Sequence, residues 1–291
     1  MPVCNIMAVI NPKNPECAFT LAADLDDTLV PIREHPLPVR KQGHADLNKL
    51  ARALSGVPHL VGLGTATGNN ITAHDRYITR IPAFEAFVEV STFKITSVGT
   101  VLHRRVGNDF LQDTNWPPPI DGWRRSEIAA MMDNRGELEL QPLASQSDHK
   151  LSYTVTGIPD SSHAAYVAEL RDALEDHDLA AQVNFSSGEY LDFLPTGIHK
   201  GSPYEYLIDS YEAETGVRPA ALAADNSMNG AELLLAADFA ILPGNADDSL
   251  RSWARATIPD KTYEADRPYA AGILEGLHYA GRIGLINFPA A

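Results

Sequence analysis

Five uncharged residues, Phe19-Thr20-Leu21-Ala22-Ala23, read as a buried strand that runs into Asp24. Ala45, Leu47, Leu50, Ala51 and Leu54 then recur at helical spacing, and Gly56 closes the run. Residues 59–64 predict a second buried strand, and Thr65-Ala66-Thr67-Gly68 the turn into a new helix. Residues 86–90 and 95–99 read as short strand segments. Strands alternating with helices predict a parallel sheet with crossover connections.

The texture changes after about residue 108. Pro117-Pro118-Pro119 interrupts the chain, and residues 124–132 read as a helix. Residues 150–155 alternate like a strand exposed on one face, 163–175 have helical periodicity, and 181–187 read as another strand. This strand–helix–strand module predicts a separate α/β unit at 110–194, with Pro195-Thr196-Gly197 as its exit hinge. Residues 220–224 then resume the first pattern as a buried strand ending at Asp225. A helix from Gly230, a strand at 239–243 and a closing helix at 270–281 follow. Residues 1–109 and 195–291 are therefore expected to form one discontinuous core around the insertion.

At 291 residues the chain exceeds one typical domain, which agrees with that division. Its net charge of −15 argues against nucleic acid or an anionic membrane as the main partner. A small anionic substrate would need a metal ion and locally placed Lys or Arg. Cys4 and Cys17 are the only cysteines, which fits a reduced, cytoplasmic setting. The first residues lack the basic start and apolar core of a signal peptide, and no apolar run reaches the length of a membrane span. A soluble protein is expected.

Four chemical signals fall at strand ends or helix starts. Asp24 and Asp26, spaced i, i+2, point the same way at the rim of a sheet. Such a pair repels itself unless a cation is present, so the spacing points to Mg²⁺, although an acidic turn has the same letters. Beside Mg²⁺, one ionised Asp can attack a phosphoryl group while its neighbour shuttles a proton. Thr67, followed by Gly68, offers a hydroxyl and free N–H groups for a phosphate, or a plain N-cap. Lys200 precedes a core helix, where it can neutralise a phosphate or simply face solvent. Asp225 ends a buried strand as Asp24 does; it completes an oxygen-rich cation site or caps a helix. Taken in this order on one rim, the four become specific.

At these residues the chain resembles the haloacid dehalogenase-like phosphohydrolases, most closely the sucrose-phosphate phosphatase branch. Asp24-Leu25-Asp26-Asp27-Thr28-Leu29 resembles the first motif and Ala66-Thr67-Gly68 the second. Leu191-Asp192-Phe193-Leu194-Pro195 with His199-Lys200-Gly201 resembles the third, and Ala223-Ala224-Asp225-Asn226 with Asn229-Gly230 the fourth. Lys150-Leu151-Ser152-Tyr153, Phe185-Ser186-Ser187-Gly188, Gly244-Asn245-Ala246 and residues 270–277 are similar to further segments of that branch.

The resemblance implies a Rossmann-like α/β core carrying an inserted α/β cap. It implies Asp24 as the nucleophile that becomes an aspartyl-phosphate, and Asp26 as the acid and base. Thr67 and Lys200 would hold the phosphoryl oxygens. Asp24, the main-chain carbonyl of Asp26, and Asp225 would hold Mg²⁺. Gly68, Asn69, Tyr153, Ser187 and Gly188 would meet the substrate, a small phosphorylated molecule, with Thr28, Asn226 and Asn229 in support. The expected activity is Mg²⁺-dependent hydrolysis of a sugar phosphate. A phosphatase for a non-sugar intermediate, or a binder without turnover, are the competing readings.

The chain departs from the branch pattern in two places. Asn69 stands where the second motif usually has an arginine, which implies a substrate other than sucrose 6-phosphate. Gly230 stands where the fourth motif usually has a second acid, a loss that typically weakens a metal site by roughly 10–100-fold.

Overall fold

The computed structural model describes residues 18–118, 120–186 and 188–289. The N-terminal extension with Cys4 and Cys17, and Ser187, lie outside the described residues. The chain begins with β1 (Phe19–Ala23), α1 (Leu37–Leu54), β2 (Leu60–Ala66), α2 (Ile71–Arg80), α3 (Pro82–Val90), β3 (Phe93–Thr96), β4 (Val101–Val106) and β5 (Asp109–Gln112). There follow α4 (Arg125–Met132), β6 (Leu138–Leu140), β7 (Leu151–Val155), α5 (His163–Asp176), β8 (Ala181–Ser186) and β9 (Tyr190–Pro195). The last part holds α6 (Ser202–Thr215), β10 (Ala220–Ala224), α7 (Ala231–Ala236), β11 (Phe239–Leu242), α8 (Asp248–Thr257), β12 (Thr262–Glu264) and α9 (Tyr269–Arg282).

The large sheet has the order β12-β11-β10-β1-β2-β3-β4-β5. Its strands run parallel from β12 to β3, and β4 and β5 close it as an antiparallel edge. All five residues of β1 are buried, because helices cover both faces and an alternating pattern is not needed there. Leu21 and Ala23 turn toward Leu47 and Leu50 of α1, Phe84 and Phe87 of α3, and Ile273 and Leu277 of α9. Ala22 turns the other way, toward Tyr204 of α6, Leu233 of α7 and Leu250 of α8. This is the open Rossmann-like α/β arrangement expected from the alternation.

A second, antiparallel sheet has the order β6-β7-β9-β8. Leu151, Tyr153, Val155 and Phe193 on one of its faces pack with Ile128 and Met132 of α4 and Leu170 and Leu174 of α5.

Three local expectations are corrected. Residues 86–90 lie in α3, not in a strand: Ala83, Phe84, Phe87 and Val88 are its buried face, at helical spacing behind Pro82. Residues 95–99 are strand only to Thr96, after which Ser97 and Val98 turn at positive φ. The pairing of β4 with β5 carries the large sheet to Gln112, past residue 110, and β9 extends the small sheet to Pro195.

Candidate active site

Parallel pairing sets Ala23 of β1 opposite Ala224 of β10, so the next residue of each strand, Asp24 and Asp225, emerges at the same sheet edge. The amide of Asp24 donates to the Ala224 carbonyl at 2.9 Å and fixes that level. β2 pairs Thr65 with Ala23, which brings Thr67 to the same rim. This is the carboxyl end of the strands, where open α/β sheets bind their ligands.

Lys200, just ahead of α6, reaches this edge from a backbone packed against Gly99. Its ammonium donates to Asp24 Oδ1 at 2.9 Å, Asp225 Oδ2 at 3.2 Å and Asn229 Oδ1 at 2.8 Å. Lys200 is 2% exposed and Asp225 fully buried. Burial alone would push the Lys200 ammonium toward the neutral form, but the Asp225 and Asp24 carboxylates outweigh it and hold it above its ordinary value. For Asp225, burial prevails over the pull of Lys200 and raises the carboxyl. Thr28 bridges the two strands by donating to Asp24 Oδ2 at 3.4 Å and to Asn226 Oδ1 at 2.7 Å.

Two glycines are required by close approach. A Cβ on Gly99, at φ +91°, would lie 2.1 Å from the His199 carbonyl, beside the backbone that delivers Lys200. A Cβ on Gly230 would lie 1.9 Å from Asp225 Cγ. Gly230 is thus more than a missing acid: in this backbone no side chain fits there, and Asn229 supplies the oxygen that meets Lys200.

Asp26 faces away from this cluster. Its Oδ2 accepts from the Asn69 amide at 2.7 Å, and its Oδ1 accepts a short bond from the Tyr77 hydroxyl on α2. Burial, and then Asp24, raise the Asp26 carboxyl, while the Tyr77 and Asn69 bonds and Lys200 oppose the rise. Tyr77 is itself held neutral by burial and by Asp26, so it remains a donor.

Above the rim lies a cavity of about 530 Å³. The large sheet contributes Asp24, Asp26, Thr67, Gly68, Asn69, Lys200, Asn226 and Asn229 to it; Gln141, Ser145, Lys150, Asn184, Ser186 and Asp192 line it from the small sheet. Lys150 and Asp192 form an ion pair of 2.8 Å on that wall. Tyr153 is not there. Strand alternation sends Lys150 and Ser152 to one face and Leu151, Tyr153 and Val155 to the other, where Tyr153 is 3% exposed and edge-on to Phe193. Gly188 occupies the β8–β9 turn at φ +71° and is not on the cavity wall. Ser187 lies outside the described residues.

The family model of sucrose-6F-phosphate phosphohydrolase matches residues 17–281. The chain belongs to that family. Tobacco (Nicotiana tabacum) sucrose-phosphatase 1 is 30% identical over 187 residues, 63% of this chain and 43% of the tobacco protein. The chain thus spans less than half the length of that relative. The mannosylfructose-phosphate phosphatase of Agrobacterium fabrum is 25% identical over 188 residues, covering 64% and 72% of the two chains. Among solved structures, the sucrose-phosphatase of Synechocystis sp. PCC6803 in complex with sucrose and phosphate superposes with a TM-score of 0.71 at 23% identity, covering 90% and 97%. A haloacid dehalogenase-like hydrolase from Bacillus subtilis gives 0.62 at 17%, covering 92% of each chain. The fold is that of the haloacid dehalogenase-like hydrolases.

In this family member the donor set fits a hard divalent cation. No three His, Cys, Asp or Glu side chains converge tightly enough to hold a metal alone among the described residues. Two carboxylates, Asp24 and Asp225, do share one edge, and Mg²⁺ commonly takes one or two carboxylates with waters and substrate oxygens. Asp24 and Asp225 share the single ammonium of Lys200, and burial, with Asp24 adding to it, raises the carboxyls of both Asp225 and Asp26. A divalent cation at this edge would offset the Asp24–Asp225 repulsion.

Sequence reasoning missed Tyr77, whose contact with Asp26 spans 51 positions and leaves no local signal. It also missed Asn245, whose amide donates to the Asp27 carbonyl at 2.7 Å and whose Oδ1 accepts from Tyr269. The similarity of Gly244-Asn245-Ala246 to the family branch was the available clue.

Proposed function

We propose that the chain hydrolyses a sugar phosphate or related phosphomonoester, with Mg²⁺, through an aspartyl-phosphate on Asp24. The observation that carries this reading is the buried Lys200 ammonium shared by Asp24, Asp225 and Asn229 at the end of two paired strands. Asp24 lines the cavity and accepts from the Lys200 ammonium, a cation that can also take a phosphoryl oxygen.

In the first half-reaction an Asp24 oxygen attacks phosphorus and the bond to the leaving alcohol breaks. Protonated Asp26 gives its proton to that departing oxygen. In the second, Asp26 as carboxylate takes a proton from water, whose oxygen attacks the phosphorus of the aspartyl-phosphate. Phosphate leaves and Asp24 is restored. Lys200 and Thr67 bind the phosphoryl oxygens throughout. The raised carboxyl of Asp26 suits the acid role, because it keeps the proton closer to neutral pH. Asp24, Asp225 and the Asp26 carbonyl would hold Mg²⁺, which when bound neutralises charge on the transferring group.

The small-sheet unit acts as a cap over the site. Gln141, Lys150 and Asn184 on its cavity face would meet the sugar hydroxyls. Sucrose 6-phosphate is not the preferred substrate, because the side chain at position 69 is engaged with Asp26 instead of reaching for the sugar. A relative of similar coverage is named for mannosylfructose phosphate, so the likeness is not confined to one disaccharide.

Phosphate release from a panel of phosphomonoesters, with Mg²⁺ and with chelator, tests the reading. Release that requires Mg²⁺ and is lost in Asp24→Asn is expected. Full activity in chelator would remove the metal role, and sucrose 6-phosphate as the clear best substrate would remove the specificity claim.

A further inference from the structure

Behind Asp26 lies a second cavity, also of about 530 Å³, that is separate from the small sheet. Asp26 and Asn69 stand in both cavities, so the proposed acid forms the partition between them. The wall of the second is basic: Arg33 from the loop after β1, Arg40 and His44 from α1, and Arg76 and Arg80 from α2. Asp26 is its only acidic lining residue among the described residues. None of the four guanidiniums forms an ion pair with a carboxylate among the described residues. Arg40 is tied only to a backbone carbonyl, that of His35, at 3.1 Å.

This arrangement runs against what the chain's charge would give. With 38 Asp and Glu to 23 Lys and Arg, carboxylate partners are abundant, yet they are missing here. Arg76 and Arg80 are spaced i, i+4, a like-charge pair that weakens a helix. Arg40 lies near the N-terminus of α1, where the helix dipole disfavours a cation. Only Arg80, in the last turn of α2, gains from its dipole. The planar forks are the donors that grip a carboxylate or phosphate in two-point fashion.

We propose that this pocket binds a second oxyanionic group, a carboxylate or phosphate, in the cleft on the far side of Asp26. Resting on the phosphatase reading, the substrate class is then a phosphomonoester whose alcohol part carries its own anion. The leaving oxygen would sit at Asp26, the sugar against the small-sheet wall, and the anion-bearing end of the leaving group would reach past Asp26 into the basic cavity. The same chemistry would also accept a free anion.

The test pairs fructose 1,6-bisphosphate with fructose 6-phosphate, and compares wild type with Arg76→Gln/Arg80→Gln, whose exposed positions on α2 tolerate glutamine. In parallel, inorganic phosphate is titrated calorimetrically into the Mg²⁺-loaded proteins. The kcat/KM preference for the bisphosphate should fall by about tenfold or more in the variant, and phosphate stoichiometry should drop from two sites to one. A fall in stoichiometry with no change in preference assigns the pocket to a free anion. An unchanged preference together with unchanged stoichiometry overturns the proposal. If no phosphomonoester is hydrolysed by wild type, the phosphatase reading fails, and the stoichiometry still decides the pocket. Arg76→Lys/Arg80→Lys should recover part of either loss, since charge returns without the fork.

Discussion

The two sides of Asp26 treat charge in opposite ways. Toward the sheet, Lys200 is buried and each of its hydrogen bonds is made to a named acceptor. Toward α1 and α2, four guanidiniums line a cavity without one carboxylate partner among the described residues. The difference follows from burial. An ammonium removed from water costs several kcal/mol unless it is paired, so the strands must deliver its partners before any ligand arrives. Solvated arginines carry no such obligation and can wait for an anion. The buried cluster is therefore part of the fold, whereas the basic cavity is not.

Breaking the buried side should have the largest effect. Lys200→Met leaves Asp24 and Asp225 unpaired and should destabilise the protein by about 3–5 kcal/mol, read from denaturant unfolding. Asp24→Asn is nearly isosteric and should retain the fold while phosphate release falls by at least about 10³-fold. Wild-type turnover in Asp24→Asn would dismiss it as nucleophile. Full stability in Lys200→Met would show that the cluster is not the structural unit described.

Gly230→Ala probes the same side more gently. Its new Cβ would overlap Asp225, so that carboxylate must move. The Mg²⁺ concentration for half-maximal activity should rise by roughly 10–100-fold, with the melting temperature monitored in parallel. An unchanged Mg²⁺ requirement would exclude Asp225 as a ligand.

These expectations rest on features the sequence discloses unevenly. Asp24, Thr67 and Asp225 were legible because each follows an apolar run, and a parallel sheet aligns strand ends that are far apart in the chain. Residues 86–90 misled because a short apolar run fits a buried strand or a buried helix face equally well. Asn69 was expected to face the cleft. It does line it, but its amide is spent on Asp26. Tyr77 and the arginine cavity were not legible at all. They depend on how the fold brings α1, α2 and the loop after β1 around one cavity, which no local pattern encodes.

The boundary between the two sides can be tested through Tyr77. Its hydroxyl stabilises the Asp26 carboxylate and so holds that carboxyl lower than burial alone would. Tyr77→Phe removes the bond, and the Asp26 carboxyl should rise further, by about one pH unit for a hydrogen bond to a charged group. The first half-reaction needs Asp26 protonated, so the alkaline limb of kcat/KM should move to higher pH. A packing role alone would lower the rate at every pH without moving the limb.

The smallest effect is expected at Tyr153, on the apolar face of the small sheet. Its hydroxyl is buried, has no hydrogen-bond partner among the described residues, and is kept neutral by that burial. An unpaired buried hydroxyl costs free energy that phenylalanine does not. Tyr153→Phe should therefore leave stability unchanged or raise it by about 1 kcal/mol, seen as a slightly higher melting temperature. The ring packing against Phe193 is retained, so the sheet keeps its register. Since alternation turns this side chain away from the cavity, KM and kcat should both stay within about twofold. Lys150→Met, just ahead of β7 and on the cavity wall, should instead raise KM, because it removes a donor and leaves Asp192 without its cation. A tenfold rise in KM for Tyr153→Phe would mean that β7 turns its other face to the substrate, and that the proposed cap surface is the wrong one.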